Sequence, residues 1–166
     1  MVHAKHFFYV VLFSFLTGAV GFSQTNPTTN SSPLLFVGST PCDSLIKSQL
    51  GISPTINCEF IKWELTLNVS SSTFRLLAIY GESKPNTNGF MGGGQKFEGQ
   101  GKYIYQLAKD NPKTKLYYLT GENFKSAIIL IEMNEYILHF ADTNNNFLVG
   151  NGGWGYVLNR THQSSV

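Results

Sequence analysis

Residues 58–80 read CEFIKWELTLNVSSSTFRLLAIY, and the order of apolar and polar residues in this stretch decides the fold. Ile61, Trp63, Leu65 and Leu67 alternate with Lys62, Glu64, Thr66 and Asn68. A period of two places the first set on one face of a strand and the second set on the other. VSSS at 69–72 turns the chain, and Phe74, Leu76, Ala78 and Tyr80 resume the alternation with Arg75 on the opposite side. Two half-buried strands in succession form an antiparallel pair.

The same reading extends downstream. Strands are predicted near Lys96–Glu98, Lys102–Leu107, Lys115–Thr120, Ser126–Met133 and Glu135–Ala141, followed by Phe147–Val149 and Trp154–Asn159. A Gly/Asn/Pro-rich loop spans Gly81 to about Gln95, a tight hairpin turns at Asn134 and Glu135, and DTNNN (142–146) makes another turn. Upstream, Leu34–Gly38 is a short apolar run. TPCDSLIKSQLG (40–51) then predicts a helix over Pro41–Leu50. Thr40 would cap it, Pro41 would take its first position, Leu45, Ile46 and Leu50 form its apolar face, and Gly51 closes it.

The expected fold is therefore all-β: an antiparallel meander of about eight strands closing into a small barrel, with one short amino-terminal helix. Closure removes exposed strand edges, and an open sandwich is the alternative.

Before the barrel the chain changes character. Lys5 precedes a mostly apolar run, FFYVVLFSFLTGAV (7–20), and the small residues Gly21 and Ser23 follow. These are the three parts of a secretory signal, with cleavage expected before Gln24. The run is shorter than the roughly 20 apolar residues of a membrane span. Residues 24–33 (QTNPTTNSSP) form a flexible leader, 34–161 the barrel domain and 162–166 a tail. The first Cys is Cys42, too far along for amino-terminal lipid attachment, so a periplasmic or secreted product is expected.

Removing residues 1–23 takes away Lys5 and no acid, which lowers the formal charge from +2 to +1. Near neutrality argues against nucleic acid or an anionic membrane surface as partner. Cys42 and Cys58 are the two cysteines of the chain, the number for one disulfide in an oxidising compartment. Such a loop is worth about 3 kcal/mol in the chain-entropy model.

Catalytic and metal motifs are weak. NGFMGGGQKFEGQG (88–101) has the glycines of a phosphate cradle but lacks the Lys-Ser/Thr and the following helix. Asp142, Asn144 and Asn146 start like a calcium loop, but Phe147 stands where Gly belongs and Gly153 where the bidentate Glu belongs. His139 has no second nearby His, and no G-x-S-x-G occurs. No catalytic residue, metal ligand or cofactor is assigned, and an enzyme is the minority reading.

Several stretches resemble the NlpE-type barrel, a family of envelope copper-resistance and stress-sensing lipoproteins. They are GSTPCD (38–43), WELTL (63–67), TFRL (73–76) leading to Tyr80-Gly81, Gly101-Lys-Tyr103, YILHFAD (136–142) and GGWGYVL (152–158). The resemblance implies a small envelope barrel of lipocalin-like architecture. The family's lipid-attachment Cys is missing here, and so is its Cys-x-x-Cys, since Cys42 is followed by Asp43, Ser44 and Leu45.

Together these readings predict an exported, non-enzymatic barrel that binds a small apolar ligand or an envelope partner protein. Trp63, Tyr80, Phe90, Met91, Tyr103 and Trp154 are the candidate ligand residues. Tyr105 and Tyr156 are further inward aromatics, and any of these rings could instead fill a dry core. A redox-responsive envelope sensor acting through Cys42–Cys58 and a metal-dependent enzyme are the alternatives.

Overall fold

The computed structural model describes residues 32–109 and 111–161. The predicted signal peptide, all of the leader except residues 32 and 33, and the tail lie outside the described residues.

Eight strands follow in chain order: β1 (Leu34–Pro41), β2 (Phe60–Asn68), β3 (Thr73–Gly81), β4 (Gln95–Leu107), β5 (Lys115–Gly121), β6 (Ile128–Asn134), β7 (Ile137–Ala141) and β8 (Val157–Thr161). Each pairs antiparallel with the next, and β8 pairs with β1 to close the barrel. The predicted meander closes, and the open sandwich is excluded. In the β2–β3 pair that anchors the sequence argument, Trp63 lies opposite Ala78 and Leu65 opposite Leu76. The alternation places Ile61, Trp63, Leu65, Leu67, Phe74, Leu76 and Ala78 in one buried cluster, joined by Leu119, Leu130, Leu138, Phe140 and Leu158 from the other strands. Burial of these side chains is the main force holding the ring shut.

Closure depends on a glycine. Gly38 sits on β1 at the seam with β8, and a Cβ there would come within 2.2 Å of the Val157 carbonyl oxygen and 2.9 Å of Leu158 Cδ2. Any side chain would push the seam apart.

The helix is shorter than expected and differently capped. Helix α1 spans Ser44–Leu50, and the Asp43 carboxylate accepts the Ile46 N–H at 2.8 Å. Pro41 instead ends β1, opposite Phe60, and the Cys42 N–H continues the ladder to the Glu59 carbonyl. Thr40 is fully buried, and its Oγ1 accepts the Trp63 indole N–H at 2.9 Å. The tertiary demand of a buried indole N–H has taken the residue that local sequence assigned to the cap. Gly51 closes α1 in the left-handed conformation, as its position implied.

Other boundaries moved as well, among them the closing strand, expected over Trp154–Asn159 and found as β8 over Val157–Thr161. Lys96–Glu98 and Lys102–Leu107 belong to one long strand, β4, because the glycines between them are inward positions rather than a turn. A Cβ on Gly99 would lie 2.4 Å from the Phe124 ring. Phe147–Val149 forms no strand, only a single bridge from Phe147 to Ala141. The β6–β7 turn falls at Glu135 and Tyr136, one residue later than expected, with a register shift between Glu132 and Asn134.

Ile128 to Ile131 are all buried. Ile128 and Leu130 point to the main core, while Ile129 and Ile131 join Leu116 and Ala141 in a second cluster on the outer face, with Ala108 and Tyr118 packed against it.

Candidate functional site

The two ends of the barrel are built differently. One is plugged. Ile46 and Leu50 of α1 sit in the main core with Cys42 and Ile52. The Lys125 N–H donates to the Gln49 carbonyl at 2.9 Å, and Gln49 Nε2 to the Ala127 carbonyl at 3.2 Å, which ties α1 to the β5–β6 connection. In that connection Phe124 packs edge-on against Phe74 and Phe97. Cys42 and Cys58 form a disulfide with Cα atoms 5.7 Å apart, which joins the approach to α1 to the segment that enters β2.

The opposite end is an open mouth with a cavity of about 250 Å³. It lies where β1 begins, β2 and β4 end, β5 begins, and β6 and β8 end. On the β4–β6 side the walls are Tyr103, Tyr105, Tyr117, Lys115 and Glu132. On the β8–β1–β2 side they are Arg160, Leu34, Phe36 and Leu67.

Alternation explains this composition. Lys115 shares its face of β5 with Tyr117 and Leu119, Glu132 shares its face of β6 with Leu130, and Arg160 shares its face of β8 with Leu158. On these three strands the inner face is apolar up to the mouth end, where a charged residue stands.

The polar groups of the β4–β6 wall are linked. Tyr117 donates its hydroxyl to Glu132 Oε2 at 2.6 Å, and Lys115 Nζ lies 3.1 and 3.3 Å from the two carboxylate oxygens. Burial, then the hydrogen bond to Glu132 and that carboxylate's charge, push the Tyr117 hydroxyl well above the ordinary tyrosine range. Burial also raises Tyr103, with a smaller contribution from Tyr105. The rings of Tyr103 and Tyr105 lie tilted against that of Tyr117, with centroids 5.6 and 6.1 Å away. At neutral pH the wall therefore presents tyrosine faces and neutral hydroxyls beside an internally paired Lys–Glu couple. Such a surface holds a ligand by shape, stacking and hydrogen bonding.

The six candidate ligand residues are not brought together. Tyr103 lines the mouth. Trp63 is buried in the packed interior, tilted against Phe140 with ring centroids 5.1 Å apart. Phe90 and Trp154 stack on the two sides of Phe60, with centroids 4.2 and 4.9 Å away, and fasten their loops to the barrel. Tyr80 and Met91 line a more open groove of about 470 Å³ formed by residues 55–57, 80–82 and 91–95. That groove is lined mostly by residues outside the strands, with Glu82 as its one ionisable side chain apart from the Tyr80 hydroxyl.

The other motifs resolve into local structure. The Asp142 carboxylate accepts the Asn144 and Asn146 N–H groups, both at 2.8 Å, and Asn146 Nδ2 at 3.1 Å, so it serves its own turn. Those Asn146 bonds and the Asn144 bond hold its pKa below the usual carboxylate value. His139 Nδ1 is paired with the Phe140 carbonyl at 2.8 Å, and its ring stands edge-on to Phe147. Among the described residues no group of three or more His, Cys, Asp or Glu side chains is placed to hold a metal ion.

Sequence reasoning missed Tyr117, Lys115, Glu132 and Arg160. Parity was an available signal for Arg160, which shares its face of β8 with Leu158; β5 and β6 are apolar on both faces and carry no such signal for Lys115, Tyr117 and Glu132. Comparison with protein-family models, curated proteins and solved structures finds no match to this chain.

Proposed function

We propose that the protein is an exported, non-enzymatic binding barrel that takes a small ligand at its open mouth, between the tyrosine wall and the β8–β1–β2 wall. The observation that carries this reading is the contrast between the ends. The interior is packed and one end is plugged by α1 and Phe124, while the other end keeps a cavity edged by convergent aromatic and polar groups. A space of about 250 Å³ lies below the range of about 300–1,000 Å³ typical of drug-sized ligands, so the ligand is small. Export is supported by the signal-like residues 1–23 and by the disulfide, which persists in oxidising compartments. No helix among the described residues is long and apolar enough to cross a membrane. The resemblance to NlpE-type barrels supports an envelope setting.

An uncharged, environment-sensitive fluorophore such as N-phenyl-1-naphthylamine tests the site. Saturable binding is expected. Tyr105→Ala should weaken it by about 2- to 10-fold, the worth of one aromatic contact, and Met91→Ala in the far groove should leave it unchanged. Binding that is lost with Met91→Ala and indifferent to Tyr105→Ala would move the site to the groove. Absence of saturable binding would remove the ligand reading.

A further inference from the structure

The two cations of the mouth are in different states. Lys115 is neutralised by Glu132, whose carboxylate also receives the Tyr117 hydroxyl. Arg160 faces them from the other wall. It lies opposite Phe36 in the β8–β1 pairing, it is half-buried, and among the described residues it forms no ion pair. Glu135 also lines the mouth, but on the exposed β6–β7 turn.

A guanidinium stays charged at any pH a protein tolerates, and its planar fork matches a carboxylate with two parallel hydrogen bonds. Partial burial beside Leu34, Phe36 and Leu67 weakens the water that would otherwise compete. A neutral ligand seated here would bind more weakly, since it would cover the guanidinium without pairing it. A cationic ligand would meet Arg160 directly. A polyanion would exceed the one cation of the mouth that, among the described residues, has no ion pair, and would also meet Glu132 and Glu135.

We propose that Arg160 is the counter-charge for a small amphipathic monocarboxylate whose apolar body lies against Leu34, Phe36, Tyr103 and Tyr105. The inference rests on the reading of the mouth as the ligand site and adds the chemical class of the ligand. The body can be aliphatic or aromatic, since both kinds of wall are present.

Calorimetry with matched pairs separates the possibilities: octanoate against 1-octanol, and 3-phenylpropionate against 3-phenylpropan-1-ol. At least one acid is expected to bind about tenfold more tightly than its alcohol, equivalent to about 1.4 kcal/mol. The stronger acid identifies the body. Arg160→Leu should abolish the preference while the alcohol still binds. Glu132→Gln, which releases Lys115, should increase it. Added salt should weaken the acid and spare the alcohol. Should Arg160→Leu fail to fold, Arg160→Gln and the salt series give the same comparison.

An acid no stronger than its alcohol, including failure of both to displace the neutral fluorophore, overturns the carboxylate inference and leaves the mouth as a site. A preference that survives loss of the guanidinium overturns it as well. Loss of fluorophore binding from the mouth itself would instead overturn the reading beneath it.

Discussion

The Tyr156 hydroxyl donates to Oδ2 of Asp43, the residue whose Oδ1 caps α1. One carboxylate thus holds the first turn of the helix and the segment entering β8, 113 positions away in the chain. The plug and the last strand are fastened to each other at the closed end of the barrel.

Asp43→Ala is expected to lower unfolding free energy by about 2–4 kcal/mol, combining a lost cap with a buried hydroxyl left unpaired. Tyr156→Phe removes only the second interaction and should cost about 1–2 kcal/mol. In a double-mutant cycle by urea denaturation the two should couple by at least about 0.5 kcal/mol. Additive effects would show that the shared carboxylate is not a joint fastening.

Opening the Cys42–Cys58 bridge should lower stability by about 3 kcal/mol, the worth of a short loop closure. The helix should persist, since its cap and its buried face, Ile46 and Leu50, do not depend on the bond. Ligand binding at the mouth should be unchanged under reductant, because the bridge is at the other end. A reduced protein with native stability, or with altered mouth binding, would contradict this and favour a redox-responsive role.

Gly38→Ala should be poorly tolerated. Its Cβ would overlap the Val157 carbonyl, backbone that cannot rotate away, so the seam between β1 and β8 must open. A loss of about 1–3 kcal/mol is the usual cost of overpacking. Gly152→Ala, where a Cβ meets nothing within 4 Å, is the control. Equal melting temperatures for the two variants would show that the seam can give.

Alkaline titration followed by tyrosinate absorbance tests the buried hydroxyls. Burial is the largest cause raising Tyr103, Tyr117 and Tyr156 above the ordinary tyrosine range, with Glu132 adding to Tyr117 and Asp43 to Tyr156. Each therefore holds its proton more tightly in the folded state than in the unfolded state. Their contribution to stability is complete below the unfolded value and is lost as pH rises through the folded ones. Late tyrosine ionisation should coincide with loss of tertiary circular dichroism. Ionisation of all the tyrosines in one early step, with the fold intact, would contradict the burial of these three.

The alternation of residues 61–67 and 74–80 is local, and it was enough to establish strands, their inner face and the meander order. The spacing of two cysteines and the neutral composition were equally legible. Other features depended on residues distant in the chain. Thr40 was drawn from the helix cap by the indole of Trp63, and Gly99 was shaped by Phe124 rather than by a turn. Phe90 and Trp154, named as candidate ligand residues, stack on Phe60 and do not line the mouth. The mouth was least visible. Lys115, Glu132 and Arg160 are ordinary charged residues at strand ends, and β6 is apolar on both faces, so period alone could not say which side looks inward. Periodicity is a property of neighbouring residues and can be read along the chain. A site assembled from the ends of several strands exists only once the ring has closed, because closure sets which ends meet and which of their charges are already paired.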